Sequence, residues 1–252
     1  MNPEKTNRRA HFGFMDVSEE EKTSLVEDVF RSVATRYDLM NDLMSLGTHR
    51  LWKDFAIGRS GVRRGQTVLD VAAGSCDLTH RFVKRVGHEG RVVAVDVSRP
   101  MLRRGKSRMI DSGMIRNVVY VLSDAQNLAF ADQQFDCVSI GFGLRNVTRI
   151  QSALGSMFRM LRPGGRIVVL EFSHPTSKFL SRLYDRYSFS VIPRIGRAVT
   201  GDERSYRYLV ESIRQHPDQE ALRKMMAEAG FEDVYYHNLS GGVVALHVGF
   251  RY

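Results

Sequence analysis

Asp70, Asp96 and Asp124 each stand at or just past the end of a short apolar run, and Arg145-Asn146 follows a fourth such run. If these runs are parallel strands, the four positions converge, because open α/β sheets bind ligands outside the carboxyl ends of their strands. Within Thr67–Thr79, TVLDVAAGSCDLT, the residues Val68, Leu69 and Val71 read as a strand buried on both faces. Ala72, Ala73, Gly74 and Ser75 then keep side chains short where a ligand would meet backbone. Asp77 is a candidate helix N-cap, and the free N–H groups beyond it suit a carboxylate or phosphate. Taken alone, the stretch also fits an ordinary strand-to-helix turn.

Asp96 ends the run VVAVD, where an acid suits hydrogen bonds to ribose hydroxyls. Helix capping is the competing role, and Ser98 can supply it instead. Asp124-Ala125 offers an acceptor for an adenine amino group beside a residue small enough to leave room for the ring; an Asx-turn is the alternative. In Gly141–Asn146 two glycines let the backbone approach a ligand, and Arg145 and Asn146 bring polar groups to the same crevice. The pattern G-x-G-x-x-G is absent, which disfavours a nicotinamide dehydrogenase.

The elements that must position these residues follow from the alternation of apolar runs. Strands are predicted at Val68–Ala72, Arg91–Val97, Val118–Leu122, Phe135–Gly141 and Ile167–Phe172. Helices fall between them at about Asp77–Val86, from Pro100, and at Gln151–Leu161 before Arg162-Pro163-Gly164-Gly165. Another helix spans Pro217–Ala229, and strands at Val234–His237 and Val243–Gly249 are joined by Ser240-Gly241-Gly242. This predicts one α/β domain, a doubly wound, mostly parallel seven-stranded sheet over residues 67–252. Two N-terminal helices within 18–57, the first opened by a Ser18/Glu21 capping box, form a lid. Residues 1–17 read as a mobile segment, polar over Met1–Ala10.

Lys and Arg number 37 against 28 Asp and Glu, a net charge of +9 that favours anionic partners without choosing among them. Two cysteines, Cys76 and Cys137, argue against a disulfide framework. No apolar run reaches the roughly 18 residues of a membrane span, and the N-terminus lacks a signal-peptide core. The expectation is a cytoplasmic protein. The basic, aromatic stretch Thr176–Val199 reads either as a rim for peripheral contact with an anionic membrane or as a helix packed on the sheet.

The layout resembles the class I S-adenosylmethionine-dependent methyltransferases, Rossmann-like in fold. More closely, YDLMNDLMSLGTHRLW (Tyr37–Trp52) and RMLRPGGRIVVLEFS (Arg159–Ser173) resemble the signatures of the ubiquinone/menaquinone biosynthesis C-methyltransferases. His11–Phe14, Phe142–Thr148 and Ser205–Gln219 are also similar to that family. The resemblance implies S-adenosyl-L-methionine as cofactor, held by Ser75, Asp96, Asp124 and Ala125 with Asp70 and Gly74 in the same corner. It implies methylation of a ring carbon of a polyprenylated quinol, a reaction that needs in-line approach, a phenolate and a dry pocket. Arg145 is a poor base because guanidinium stays protonated, but Arg145, Asn146 and Tyr37 can form a network stabilising the phenolate. His174 has a pKa suited to base work, and a loop histidine without catalytic role fits it equally well. Where the family has A-G-G-T-G-D this chain carries Ala73, Ser75 and Cys76, and Gly141 replaces a frequent serine. A Cβ at a positive φ in that loop costs on the order of 1 kcal/mol.

Two other readings compete. The basic charge admits an RNA methyltransferase, but the charge is spread along the chain and no N-P-P-Y-like run follows strand four, so no nucleic-acid partner is expected. The loop substitutions admit a non-catalytic scaffold of a quinone biosynthetic complex. A homo-oligomer fits either. No metal site is expected.

Overall fold

The computed structural model describes residues 9–33, 41, 42, 45, 47–191, 193, 194 and 203–252. Its centre is a seven-stranded sheet of β3 (Thr67–Val71), β4 (Arg91–Asp96), β5 (Val118–Leu122), β6 (Phe135–Gly141), β7 (Leu161–Phe172), β8 (Glu232–Leu239) and β9 (Val244–Phe250). The spatial order is β5-β4-β3-β6-β7-β9-β8, so the strand order reverses between β3 and β6 and leaves a crevice at their carboxyl ends. β5 through β7 run parallel, whereas β9 pairs antiparallel with both β7 and β8. The predicted class and all seven strands are present.

Helices cover both faces because the central strands are apolar on both sides. One face packs Trp52 of α2 (His49–Arg59), Phe82 of α3 (Asp77–Val86) and Met109 of α4 (Arg99–Asp111) into a single core. The other packs Leu154 and Met157 of α5 (Ile150–Met160) against strand residues. Near the end of the chain, α6 (Lys178–Arg186) and α7 (Glu203–Gln215) lie on the first face, and α8 (Gln219–Glu228) lies on the second. Gln151–Leu161 closes one residue earlier than predicted. Leu161 already pairs with Phe135, and β7 resumes its register at Arg166 after a bulge.

Two elements depart from the sequence reading. The segment read as mobile, residues 1–17, contains a hairpin of β1 (Arg9–Phe12) and β2 (Met15–Ser18), turned by Gly13 at φ +57°. Its anchor is Phe12, buried and stacked on Tyr208 with ring centroids 4.1 Å apart. That partner lies on α7, a helix the sequence reading did not assign. The two N-terminal helices are α1 (Glu19–Val33) and α2, separated by residues that are mostly outside the described set, Tyr37 among them. No helix among the described residues is long and apolar enough to cross a membrane.

Candidate active site

A cleft opens at the carboxyl ends of β3, β4 and β5, with about 830 Å³ of open space including its mouth. Asp96, Asp124, Ala125, Gly74 and Asn146 all line it, so five of the predicted positions meet there. Ala72, Met101 and Gly143 complete the floor. Thr23, Val26, Glu27 and Phe30 of α1 form the opposite wall.

Asp96 is nearly buried, and its carboxylate is already engaged. Oδ2 accepts the Gly74 N–H at 2.8 Å, and Oδ1 accepts the Ser98 N–H at 2.7 Å. Burial pushes its pKa up, and these backbone donors offset part of the rise. One strand-end acid thus braces the small-residue loop and the start of α4 together. Ser98 occupies the N-cap of α4 but makes no side-chain cap. The Val97 N–H also acts on this carboxylate, which keeps acceptor capacity for a ligand. Asp124 does form the Asx-turn. Its Oδ1 accepts the Gln126 N–H at 2.9 Å and its Oδ2 accepts Gln126 Nε2 at 2.9 Å, while the residue still faces the cleft.

Asp70 lies below the cleft rather than in its wall. It is fully buried, with Oδ1 accepting from Ser139 Oγ at 2.7 Å and Oδ2 from Thr79 Oγ1 at 2.6 Å. Loss of hydration raises its pKa to about 6 despite those donors. Asp70 and Ser75 share a small adjoining cavity with Lys53, Ala73, Asp77, Leu78, Gly141 and Phe142. Asp77 is the first helical residue of α3, and Cys76, not Asp77, holds the cap position, at φ +61° and ψ +33°. That is the strained left-handed conformation expected if a glycine position had been replaced. The Cys76 side chain does not line the cleft; it packs against Gly105 of α4. Burial pushes its thiol up to about 12, against any activation by the helix terminus. A side chain at Gly141 would collide with Leu78, which excludes a serine there without repacking.

Arg145 and Asn146 lie on a 3₁₀ turn, Leu144–Asn146, after β6. Only Asn146 reaches the cleft. Arg145 points into the protein, where its Nη1 donates to Glu171 Oε1 at 2.6 Å and to the Phe142 carbonyl at 2.7 Å. Its guanidinium also sits over the Phe172 ring at 5.4 Å. Asn146 Oδ1 accepts from Tyr208 at 3.0 Å, and its Nδ2 is buried without a partner among the described residues. His174 is turned away, with its Nε2 at 3.0 Å from the His216 carbonyl oxygen.

Three further residues belong to this arrangement and were not singled out from sequence. Lys53 of α2 reaches Asp77 Oδ2 at 2.6 Å and joins α2 to the start of α3. Burial opposes ionisation of Asp77, but the Lys53, Arg81 and Arg108 cations hold its carboxyl well below the usual range. Glu171 pairs with Arg145; an acid in the apolar run IVVLEF needs a buried cation, and that was its signal. Tyr208 carried no such signal.

Residues 15–251 match the ubiE/COQ5 methyltransferase family. Proteins named ubiquinone/menaquinone biosynthesis C-methyltransferase UbiE from Yersinia enterocolitica and Yersinia pestis are 57% identical over 242 residues, covering 96% of this chain and 96% of each relative. Among solved structures, a SAM-dependent methyltransferase from Aquifex aeolicus superposes with a TM-score of 0.62 at 16% identity, over 85% of this chain and 98% of that one. A Haemonchus contortus phosphoethanolamine N-methyltransferase 2 in complex with S-adenosyl-L-methionine gives 0.56 at 15%, over 79% and 52%. At such identities these two establish the fold. The matched span and the identity to full-length relatives establish more: this chain belongs to the ubiE/COQ5 methyltransferase family.

Proposed function

We propose that this enzyme transfers the methyl group of S-adenosyl-L-methionine to a ring carbon of a polyprenylated quinol, demethylmenaquinol or 2-polyprenyl-6-methoxy-1,4-benzoquinol, in menaquinone or ubiquinone biosynthesis. The observation that carries the reading is the meeting of Asp96, Asp124, Ala125, Gly74 and Asn146 in one cleft at the strand ends. The residues fit the cofactor. Asp96 offers paired acceptors for a ribose diol, and Asp124 beside the small Ala125 suits an adenine edge. Ser75 and Lys53 flank the adjoining cavity, where a cation suits the carboxylate of an amino-acid moiety. Asp70 ties the first turn of α3 to β6 beneath the loop, through Thr79 and Ser139.

When bound, the sulfonium supplies an electrophilic methyl group, so the chain's task is to present an electron-rich carbon and exclude water. Asn146 Nδ2 donates to the quinol oxygen and favours its phenolate form. Arg145, tied to Glu171, holds the turn that carries Asn146 and does not act as a base. Tyr37 belongs to the same proposed network and lies outside the described residues.

A lipid-tailed substrate also gives meaning to the outer face of α6. Phe179 and Leu183 are exposed there beside Lys178, Arg182 and Arg186, and exposed Phe14 stacks on Phe189 at 6.3 Å. Apolar side chains among cations suit peripheral contact with an anionic membrane. The enzyme is incubated with methyl-labelled S-adenosylmethionine and each short-tailed quinol, and the product is analysed by mass spectrometry. A methyl on the ring carbon is expected; a methyl on oxygen, or none, overturns the reading.

A further inference from the structure

Asn146 shows the cleft an amide with one end fixed and the other open. Its Oδ1 is engaged by the Tyr208 hydroxyl at 3.0 Å, while Nδ2 is buried at the cleft wall and has no partner among the described residues. A carboxamide whose oxygen is occupied can offer only N–H donors, so what it meets must be an acceptor. A buried donor left unmatched is costly, and such a group in a native fold calls for an explanation.

Tyr208 is itself held firmly. Its ring is 3% exposed and stacks on Phe12 at an interplanar angle of 12°. Burial raises its phenol well above the ordinary value, with Arg145 lowering and Glu171 raising it to lesser extents, so the hydroxyl keeps its proton at neutral pH. Two elements that the sequence did not announce, the β1–β2 hairpin and α7, therefore converge on one side-chain amide at the cleft wall.

We infer that Tyr208 is a positioning residue that locks the Asn146 amide so that Nδ2 donates to the substrate oxygen next to the carbon receiving the methyl group. The inference rests on the proposed quinol methylation and deepens it. Without the hydroxyl, the terminal amide torsion of Asn146 is free to turn over. The turned amide directs its oxygen lone pairs at the same substrate oxygen, which repels a phenolate.

Tyr208→Phe keeps the ring and its stack on Phe12 while deleting the donor. We expect kcat for ring methylation to fall about tenfold, with the KM for S-adenosylmethionine unchanged and the Tm lowered only by the few degrees that one lost buried hydrogen bond costs. The ascending limb of the pH–rate profile should move to higher pH, because the phenolate has lost a donor. In an Asn146→Ala background the same change should alter kcat less than twofold, since the amide it orients is gone. Wild-type kcat and pH profile in Tyr208→Phe overturn the inference. So does an equal fall in the Asn146→Ala background. The wild-type enzyme in the same assay separates the two levels: ring methylation unaffected by Tyr208→Phe sinks the positioning role alone, and no ring methylation sinks the function and the inference together.

Discussion

Replacing Glu171 with alanine tests how the turn carrying Asn146 is held. The Glu171 and Arg145 side chains are 2% and 3% exposed, and their closest atoms are 2.6 Å apart. Glu171 Oε1 also accepts the Phe172 N–H at 2.9 Å, and Oε2 accepts the Arg145 N–H at 3.2 Å. The alanine variant therefore leaves a guanidinium in the interior with the Phe142 carbonyl but without its carboxylate. Removing one partner of a buried pair costs about 3–5 kcal/mol, because the remaining charge cannot regain its hydration. Against a typical total of about 5–15 kcal/mol, this is a large fraction. With a urea slope near 3 kcal/mol/M, the midpoint of unfolding should fall by roughly 1–2 M. The double variant Glu171→Leu/Arg145→Met should lose less than Glu171→Ala alone, since it removes both charges from the apolar surroundings. A Glu171→Ala loss below about 1 kcal/mol, or a double variant costing the sum of its parts, would refute the account of the pair as a dry, mutually dependent unit.

Asp70→Asn should gain stability relative to wild type as pH rises. An acid whose pKa is raised in the fold contributes stability that is present below its unfolded value and lost through about 6. The difference should grow by up to about 3 kcal/mol between pH 4 and 7, measured by urea unfolding, and a flat difference would contradict it. Burial and a pKa of about 12 should leave Cys76 unmodified by iodoacetamide at pH 8 in the native protein. Both cysteines should react in denaturant, and native labelling of Cys76 would show the loop to be open. Phe179→Ser and Leu183→Ser should each weaken sedimentation with anionic phospholipid vesicles roughly tenfold or more. Salt should release the wild type, and equal binding of wild type and variants would remove α6 as the contact.

The parallel core was legible because its strands are continuous apolar runs that end in acids, and each such end fell where the sheet needed it. Asp96, Asp124 and Ala125 could therefore be placed in one crevice before any coordinates. What escaped depends on contacts distant in sequence. The hairpin at 9–18 is held by Phe12 against Tyr208, almost two hundred residues away, so a short stretch that follows a polar start reads alone as loose chain. Arg145 was expected to face the ligand because it follows a buried strand. Its inward turn is dictated by Glu171, an acid whose own burial required a cation. Asp70 sits on the same strand pattern as Asp96, but the Ser139 and Thr79 hydroxyls draw it beneath the loop.

One wall of the cleft is a helix and not part of the sheet. Thr23, Val26, Glu27 and Phe30 of α1 face the strand tips across the space a bound nucleoside would fill. Lys22 fastens that wall to the opposite rim through the Val147 carbonyl at 3.3 Å. Release of that contact would free the α1 side of the cleft to move, so the Lys22 tether sets how far this wall can swing. Loosening the Lys22 tether would speed turnover if departure is slow and would cost affinity in every case, so the two kinetic constants report on the same hinge.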